Sequence, residues 1–210
     1  MPIRLTPKSK FVFIGDSITD CGRGGEAEGV GSGYVRLIRD YLRAKDPPHA
    51  PEVINRGISG NKVTNLRDRW QKDVIDLSPS VLSIMIGIND VWHGLNPGGT
   101  GVDIDTYKMV YAELIAQVKE KHPACAIVLC EPTIISPPAH ANGNESLKRY
   151  VNAVRKLALE QKVAIVPLHE TFLDAAKARP DIDWATDGVH PTSSGHTLIA
   201  RQWLAATELL

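Results

Sequence analysis

Two segments near the ends of the sequence carry side chains that could act together as a nucleophile and its base. In GDSITDCG at 15–22, Ser17 could be a nucleophile, or it could be a helix cap or a turn residue. In ATDGVHPTSSGH at 185–196, Asp187 and His190 stand three residues apart and could face a common point, or the histidine could be a cap or a surface group. A serine, an imidazole and a carboxylate are the groups that serine hydrolases combine for acyl transfer.

Two middle segments could supply donors for a developing negative charge. NRGISGNKV at 55–63 contains Gly60, where a glycine allows close approach of the backbone to a ligand or simply makes a turn with positive φ. GIND at 87–90 contains Asn89, whose side-chain amide could donate to an oxyanion or could form an Asx-turn. Acyl transfer needs two or three such donors, so each role in ester hydrolysis has one candidate.

The glycines between positions 22 and 33 leave another function open. A glycine-rich loop after the first strand could bind an anion, as a flavodoxin-like flavin- or nucleotide-binding module would require. The sequence has no G-x-S-x-G, G-x-x-x-x-G-K-[ST], H-E-x-x-H or G-x-G-x-x-G pattern, which disfavours Walker ATPases and zinc proteases. A flavodoxin-like ligand-binding module is therefore the non-enzyme alternative.

The elements that must position these residues alternate between strands and helices. Short apolar runs predict five strands, at 11–15, 52–55, 81–87, 126–130 and 163–167. Several runs are continuously apolar, which is typical of strands buried on both faces of a parallel sheet. The pattern predicts an α/β fold, with a doubly wound, parallel five-stranded sheet in a three-layer α/β/α sandwich. Such a sheet binds ligands outside the carboxyl ends of its strands.

Helices are predicted where apolar residues recur at spacings of three and four. The periodic positions are Val63, Leu66, Trp70, Val74 and Leu77; Tyr107, Val110, Tyr111, Leu114 and Val118; Leu147, Tyr150, Val151, Val154 and Leu157; and Ile199, Trp203 and Ala206. The last helix is expected to begin at Pro191, because proline suits the first helical position. Three Pro- and Gly-rich segments, 45–51, 95–101 and 136–143, are interpreted as surface loops.

Composition excludes several classes of protein. The 210 residues are 43% hydrophobic and 23% charged, which is ordinary for one globular domain spanning 1–210 and rules out a disordered chain. Lys plus Arg and Asp plus Glu each total 24, so the basic surface of a nucleic-acid binder is not expected. The three cysteines, Cys21, Cys125 and Cys130, have neither disulfide nor metal-ligand spacing. Without an export signal or membrane-length apolar segment, a cytoplasmic protein with no membrane insertion is expected.

Taken in order, GDSITD, GISGN, GIND and DGVHP resemble the four sequence blocks of the SGNH, or GDSL, hydrolase family. The resemblance runs from Gly15 to Pro191 and implies the flavodoxin-like SGNH hydrolase fold. One departure is Ile18, where the family name has leucine, and it touches no catalytic group.

Carried over residue by residue, the resemblance implies that Ser17 is the nucleophile, His190 its general base and Asp187 the group that orients the imidazole. The oxyanion hole would consist of the backbone N–H groups of Ser17 and Gly60 and the side-chain amide of Asn89. No cofactor and no metal are implied.

GDSITDCGR, NRGISGN and SIMIGINDVW look especially similar to bacterial carbohydrate acetylesterases of this family, including intracellular acetylxylan esterases. That similarity implies removal of acetyl groups from sugars or xylo-oligosaccharides, and a possible homo-oligomer. The family alternative is a lysophospholipase or thioesterase.

Polar side chains after the first three strands favour a sugar as the substrate. Those expected to face it are Asp20, Arg23, Glu26, Asn61, Asp90, Trp92 and His93. Asp16, Asn61, Trp92 and His93 are the predicted substrate-binding residues. The other histidines, His49, His122, His140, His169 and His196, are interpreted as mostly solvated.

Overall fold

The predicted strands form one all-parallel sheet in the order β2-β1-β3-β4-β5 in the computed structural model, which describes residues 3–135 and 143–210. The strands are β1 (Lys10–Gly15), β2 (Glu52–Gly57), β3 (Val81–Met85), β4 (Ala126–Cys130) and β5 (Ala164–Val166). Helices connect them and flank the sheet, which confirms the predicted fold class. The strand order reverses at β1, so the carboxyl ends of β1 and β3 border the crevice where such sheets bind ligands.

The helices pack in two groups. They are α1 (Ser17–Asp20), α2 (Tyr34–Lys45), α3 (Val63–Trp70), α4 (Ile88–Trp92), α5 (Ile104–Lys121), α6 (Gly143–Gln161), α7 (Leu168–Ala178) and α8 (Ser193–Ala206). Helix α8 packs against α2 and α7, whereas α5 packs against α3 and α6. A π-helical turn, Gln71–Ile75, extends α3. Among the described residues, no helix combines the length and apolar character needed to cross a membrane.

Periodicity predicted four of these helices, α3, α5, α6 and α8. Helix α2 also has a regular apolar stripe, since Tyr34, Ile38 and Leu42 are fully buried at spacings of four. Helices α1 and α4 have only four and five residues, which is too short for periodicity to reveal. Apolar periodicity therefore could not predict the two helices that carry Ser17 and Asn89.

The start predicted for the last helix is wrong. Helix α8 begins at Ser193, and the Thr192 side chain caps it by accepting a hydrogen bond from the Gly195 N–H at 3.3 Å. Pro191 instead pairs with Ala185 in an isolated antiparallel bridge. The predicted loop at 45–51 includes the end of α2 and a short 3-10 turn, whereas 95–101 has no regular element. Of the predicted loop at 136–143, residues 136–142 lie outside the described residues.

Two histidines expected to be solvated are buried. His169 is 2% exposed and its Nδ1 lies 2.8 Å from the carbonyl oxygen of Thr133. His196 is 7% exposed, and its Nδ1 accepts a hydrogen bond from the Tyr34 N–H at 3.2 Å. Burial lowers the pKa of His196 to about 4, so its imidazole is neutral near pH 7. His140 lies outside the described residues.

Candidate active site

Ser17 is the first residue of α1 and follows β1 after a single intervening residue, Asp16. The Asp16 side chain caps the helix by accepting a hydrogen bond from the Ile18 N–H at 3.0 Å. As the first helical residue, Ser17 has a backbone N–H that points out of the helix without an intrahelical acceptor. The fold therefore presents both the hydroxyl and the N–H of Ser17 at the carboxyl edge of the sheet.

His190 reaches Ser17 from the loop before α8. Its Nε2 lies 2.8 Å from the Ser17 Oγ, and its Nδ1 lies 2.6 Å from the Asp187 Oδ2. An ionised carboxylate only accepts, so Nδ1 carries a proton and Nε2 of the neutral ring accepts from the serine hydroxyl. The three side chains form one hydrogen-bonded chain, although Ser17 and His190 are 173 residues apart in sequence.

The 185–191 loop is closed on itself, which fixes the Asp187–His190 pair. Besides the bridge from Ala185 to Pro191, the Thr186 N–H donates to the His190 carbonyl at 2.8 Å. The Asp187 Oδ1 accepts from the His190 N–H at 2.9 Å and from the Val189 N–H at 3.2 Å.

These hydrogen bonds control the charge of Asp187. Partial burial alone would raise the pKa of this carboxyl, but hydrogen bonds from the His190 backbone and side chain and from the Val189 backbone outweigh it. The pKa of Asp187 falls to about 2, so the group is an anion throughout the pH range in which the enzyme would operate.

Gly60 lies in the loop between β2 and α3, at φ +78°. The preceding Ser59 ties this loop to α1, because its Oγ and its N–H both donate to the Asp20 Oδ2, at 2.9 and 3.2 Å. The loop that carries the Gly60 N–H is thus attached to the helix that carries Ser17.

Asn89 is the second residue of α4, four residues after the end of β3, and it is 7% exposed. Its Nδ2 donates to the carbonyl oxygen of Asn61 at 3.1 Å, which joins α4 to the Gly60 loop. The amide nitrogen carries two hydrogens, so one remains to donate to an oxyanion. Asn89 therefore has one side-chain hydrogen left to donate beside the Gly60 loop, and an oxyanion hole requires donors of this kind.

A model of the GDSL-like Lipase/Acylhydrolase family matches residues 13–198 of this chain. The chain belongs to this family. An acetylxylan esterase from Geobacillus stearothermophilus is 36% identical to it over 216 residues, covering 96% of this chain and 95% of the esterase.

Solved structures show the same similarity in three dimensions. A GDSL-like lipase structure from Parabacteroides merdae ATCC 43184 has a TM-score of 0.91 at 38% identity and covers 100% of both chains. The structure of Axe2, an acetylxylan esterase from Geobacillus stearothermophilus, has a TM-score of 0.87 at 33% identity and covers 98% of this chain and 96% of Axe2. The protein is therefore a carboxylic ester hydrolase, and the alternative of a flavodoxin-like ligand-binding module is not supported.

Two further carboxyl groups lie beneath the surface of this acylhydrolase site. Asp16 and Asp90 are each 1% exposed, and burial raises the pKa of each to about 7. The Asp90 Oδ1 accepts from the Val63 N–H at 3.0 Å, whereas among the described residues its Oδ2 has no hydrogen-bond partner. Asp90 thus holds the start of α3, just after the Gly60 loop.

Several polar residues expected to face the substrate are engaged within the acylhydrolase itself. Asp90 is buried, so its expected exposure to a sugar is wrong, and the burial of Asp16 likewise removes its carboxyl from the surface. The Arg23 Nε donates to the Gly57 carbonyl at 2.6 Å, and the Glu26 Oε1 accepts from the Val30 and Gly31 N–H groups at 2.6 Å. The Glu26 contacts are local, whereas the contact of Arg23 with Gly57 spans 34 residues of sequence and could not be predicted from local pattern.

The other three predicted substrate-binding residues, Asn61, Trp92 and His93, are half-buried and lie within four residues of Gly60 or Asn89 in sequence. The Asn61 carbonyl accepts from Asn89, and its side-chain Oδ1 accepts from the Arg69 Nε at 2.9 Å. Asn61 therefore shapes the site through its backbone. Trp92 and His93 border an open cavity.

Proposed function

We propose that this protein is a serine carboxyl-ester hydrolase that removes acetyl groups from xylo-oligosaccharides through an acyl-enzyme. The observation that carries the proposal is the hydrogen-bonded chain from Ser17 through His190 to Asp187. It is supported by similarity to acetylxylan esterases and by the Axe2 structures of catalytic mutants, in which a serine, an aspartate or a histidine is replaced by alanine.

In the first half of the reaction, the Ser17 Oγ attacks the acetyl carbonyl carbon while His190 Nε2 takes the hydroxyl proton. The imidazolium that forms is balanced by the Asp187 carboxylate, which stays ionised because its pKa is about 2. The carbonyl oxygen becomes an oxyanion, which accepts hydrogen bonds from the Ser17 and Gly60 N–H groups and the Asn89 amide. His190 then returns the proton to the departing sugar oxygen, leaving an acetyl-serine.

In the second half, water attacks the acetyl-serine and His190 takes a proton from it as general base. The same three donors stabilise the second oxyanion. Collapse of this intermediate releases acetic acid, which ionises to acetate in solution, while His190 returns its proton to the Ser17 oxygen. The residues assigned here supply every proton transfer, so the proposed cycle uses no cofactor.

Acyl-chain length tests the acetyl preference against the lysophospholipase or thioesterase alternative. Each CH₂ buried in an apolar channel would add about 0.8 kcal/mol of binding, so a lipase-like site would improve from acetyl to octanoyl esters. We expect kcat/KM for aryl esters to fall at least about tenfold from acetyl to hexanoyl, which is about 1.4 kcal/mol. Acetate should also be released from acetylated xylo-oligosaccharides. A maximum at octanoyl, without that release, would favour the alternative.

Cellular location and assembly are separate proposals that rest on the resemblance to intracellular acetylxylan esterases. We place the enzyme in the cytoplasm and expect a homo-oligomer. Cell fractionation with antibody detection tests the first, and light scattering coupled to size-exclusion chromatography tests the second. A monomer at micromolar concentration would contradict the assembly proposal alone.

A further inference from the structure

Arg69 lies near the end of α3 and has no part in the chemistry described above, yet its side chain is only 14% exposed. The Asp73 Oδ2, one turn further along the chain, accepts a hydrogen bond from the Arg69 Nη1 at 2.8 Å and balances its positive charge. A guanidinium carries five N–H groups, so an arginine paired with one carboxylate still has donors for other partners.

Two of the remaining hydrogen bonds of Arg69 reach the carboxyl ends of neighbouring strands. Its Nη2 donates to the carbonyl oxygen of Gly15 at 3.1 Å, at the last residue of β1 and two residues before Ser17. Its Nη1 donates to the carbonyl oxygen of Arg56 at 2.7 Å, near the end of β2. Arg69 therefore joins the strand that leads to Ser17 to the strand that leads to the Gly60 loop.

A further hydrogen bond of Arg69 reaches the Gly60 loop itself. The Arg69 Nε donates to the Asn61 Oδ1 at 2.9 Å, and Asn61 directly follows Gly60. The carbonyl oxygen of Asn61 in turn accepts from the Asn89 Nδ2 at 3.1 Å. Asn61 is thus held by Arg69 through its side chain and holds the Asn89 amide through its backbone.

Arginine suits this position because its guanidinium is planar and rigid. Its donors form a fixed fork that can bind acceptors on separate segments of chain, whereas the lysine ammonium is a single point on a flexible stem. Rigid support matters for an oxyanion donor, because a misplacement of about 1 Å in an active site can lower the rate about 10²-fold. A side chain that fixes the loop and the amide together would preserve the geometry of both donors.

We propose that Arg69 is a positioning residue for the oxyanion hole, because it holds Asn61 and, through Asn61, orients the side-chain amide of Asn89. The inference rests on the proposed function, since the donors that it concerns are assigned there. Arg69 acts through Asn61 and does not touch the reacting atoms. Its loss should lower kcat rather than raise KM, because the oxyanion forms only after the substrate is bound.

The first test measures kcat and KM for an aryl acetate in Arg69→Met, which removes every donor but keeps a long side chain. We expect kcat to fall at least about tenfold while KM stays within about threefold. Melting temperature, followed by circular dichroism, shows that the variant is folded. A raised KM with unchanged kcat would overturn the inference.

Arg39→Met is the matched control for the loss of a buried, paired arginine. The Arg39 side chain is 4% exposed and its Nη2 lies 3.0 Å from the Glu28 Oε2 and 2.7 Å from the Asp40 Oδ1. Its removal should lower the melting temperature but leave kcat within about twofold of wild type, because Arg39 has no proposed role in the reaction. Equal falls of kcat in Arg39→Met and Arg69→Met would mean that general damage to the fold explains both.

The second test asks whether the effect of Arg69 depends on Asn89. In Asn89→Ala the amide that Arg69 would orient is gone, so adding Arg69→Met should lower kcat at least about threefold less than it does in the wild-type enzyme. A purely structural role would not produce this dependence. Losses that multiply independently in the double variant would contradict a role through Asn89.

Asn61→Ala breaks only the proposed link and keeps the inference testable if Arg69→Met does not fold. The substitution removes the Oδ1 acceptor, whereas the carbonyl that accepts from Asn89 and the ion pair of Arg69 with Asp73 remain. We expect kcat to fall about fivefold with little change in KM. A wild-type kcat in Asn61→Ala would overturn the inference without any measurement on Arg69.

The inference and the proposed function fail in different ways. If Ser17→Ala keeps a wild-type kcat, the proposed function is wrong whatever Arg69 does. If Ser17→Ala and Asn89→Ala both lose activity while folded Arg69→Met keeps it, the proposed function stands and the positioning role of Arg69 is wrong.

Discussion

Carboxyl groups lie on an outer and an inner side of the site, and their surroundings shift their pKa values in opposite directions. On the outer side, the Asp187 side chain is 55% exposed and its pKa is lowered to about 2. On the inner side, Asp16 and Asp90 are each 1% exposed and burial raises the pKa of both to about 7. One side stabilises the anion, and the other stabilises the neutral acid.

This difference in pKa matches a difference in role. The proposed mechanism uses the negative charge of Asp187, whereas the carboxyl groups of Asp16 and Asp90 accept hydrogen bonds from the backbone. In the proposed mechanism His190 becomes an imidazolium when it takes the serine proton, and only a carboxylate that is already ionised balances that charge without a change of its own protonation. Asp16 and Asp90 instead accept hydrogen bonds from the N–H groups of Ile18 and Val63. They hold the backbone at the starts of α1 and α3. Variants on the two sides should consequently have different consequences.

The largest effect is expected for Ser17→Ala, since in the proposed mechanism its hydroxyl is the only group that becomes covalently bound. We expect kcat to fall about 10⁴- to 10⁶-fold, with little change in melting temperature because Ser17 is a partly exposed residue at a helix start. A fluorophosphonate probe should label the wild-type enzyme at Ser17 by mass spectrometry. Labelling of a different serine would contradict the assignment.

Asp187→Asn tests the outer side of the comparison. The variant cannot balance the imidazolium and favours the wrong tautomer of His190, so kcat should fall about 10²- to 10⁴-fold, and less than in His190→Asn.

In the wild-type enzyme, kcat/KM should rise from acid to neutral pH, because only neutral imidazole accepts the serine proton. Asp187 does not titrate in that range, since its pKa is about 2. A near-wild-type rate for His190→Asn would mean that another group is the base.

Asn89→Ala removes one of the three proposed oxyanion donors and tests whether the Asn89 side chain has that role. We expect kcat to fall about 10²- to 10³-fold, or roughly 2.7 to 4 kcal/mol, with a smaller change in KM, because the donor acts mainly in the transition state. The variant also loses the hydrogen bond to the Asn61 carbonyl. An unchanged kcat with a lower melting temperature would instead show that Asn89 is only a structural residue.

Asp90→Asn tests the inner side through stability rather than rate. The pKa of Asp90 is raised from 3.8 to about 7, so the folded state holds a proton that the unfolded chain releases between these values. The contribution of this proton to the free energy of unfolding is fully present below about pH 4 and is lost as pH rises through 7. The slope is up to about 1.4 kcal/mol per pH unit.

Asparagine keeps the acceptor for the Val63 N–H but does not titrate, so Asp90→Asn should remove this part of the pH dependence. Urea unfolding at pH 5, 6 and 7 measures the free energy of unfolding, and the advantage of wild type over the variant should shrink as pH rises. Asp174→Asn, at an exposed position of α7, is the control. Parallel pH dependences for wild type and Asp90→Asn would contradict the raised pKa.

The sequence predicted the strand ends that carry the proposed site, but not the contacts that bury the groups beneath it. Ser17 comes one residue after the apolar run of β1, and Asn89 directly follows the apolar run that contains β3. The carboxyl ends of parallel strands lie at one edge of the sheet, so local pattern was enough to predict that both residues lie at that edge. The burial of Asp90 and His196 depends on contacts with Val63 and Tyr34, which are 27 and 162 residues away in sequence. Composition and periodicity carry no information on such contacts.

The smallest expected effect concerns the backbone donor of the oxyanion hole. Gly60 has φ +78°, and a Cβ there would have no atom within 4 Å, so Gly60→Ala adds strain without a clash. The cost to stability should be about 1–2 kcal/mol. Gly29→Ala is the matched control, because Gly29 has φ +66° and equally open space but has no proposed catalytic role, and its N–H donates to the Glu26 carbonyl at 3.3 Å. Alanine disfavours the positive φ, so relief of this strain should rotate the peptide and change the direction of its N–H. If the Gly60 N–H stabilises the oxyanion, kcat for an aryl acetate should therefore fall severalfold in Gly60→Ala but not in Gly29→Ala. Equal stability losses with equal kcat in both variants would remove Gly60 from the oxyanion hole.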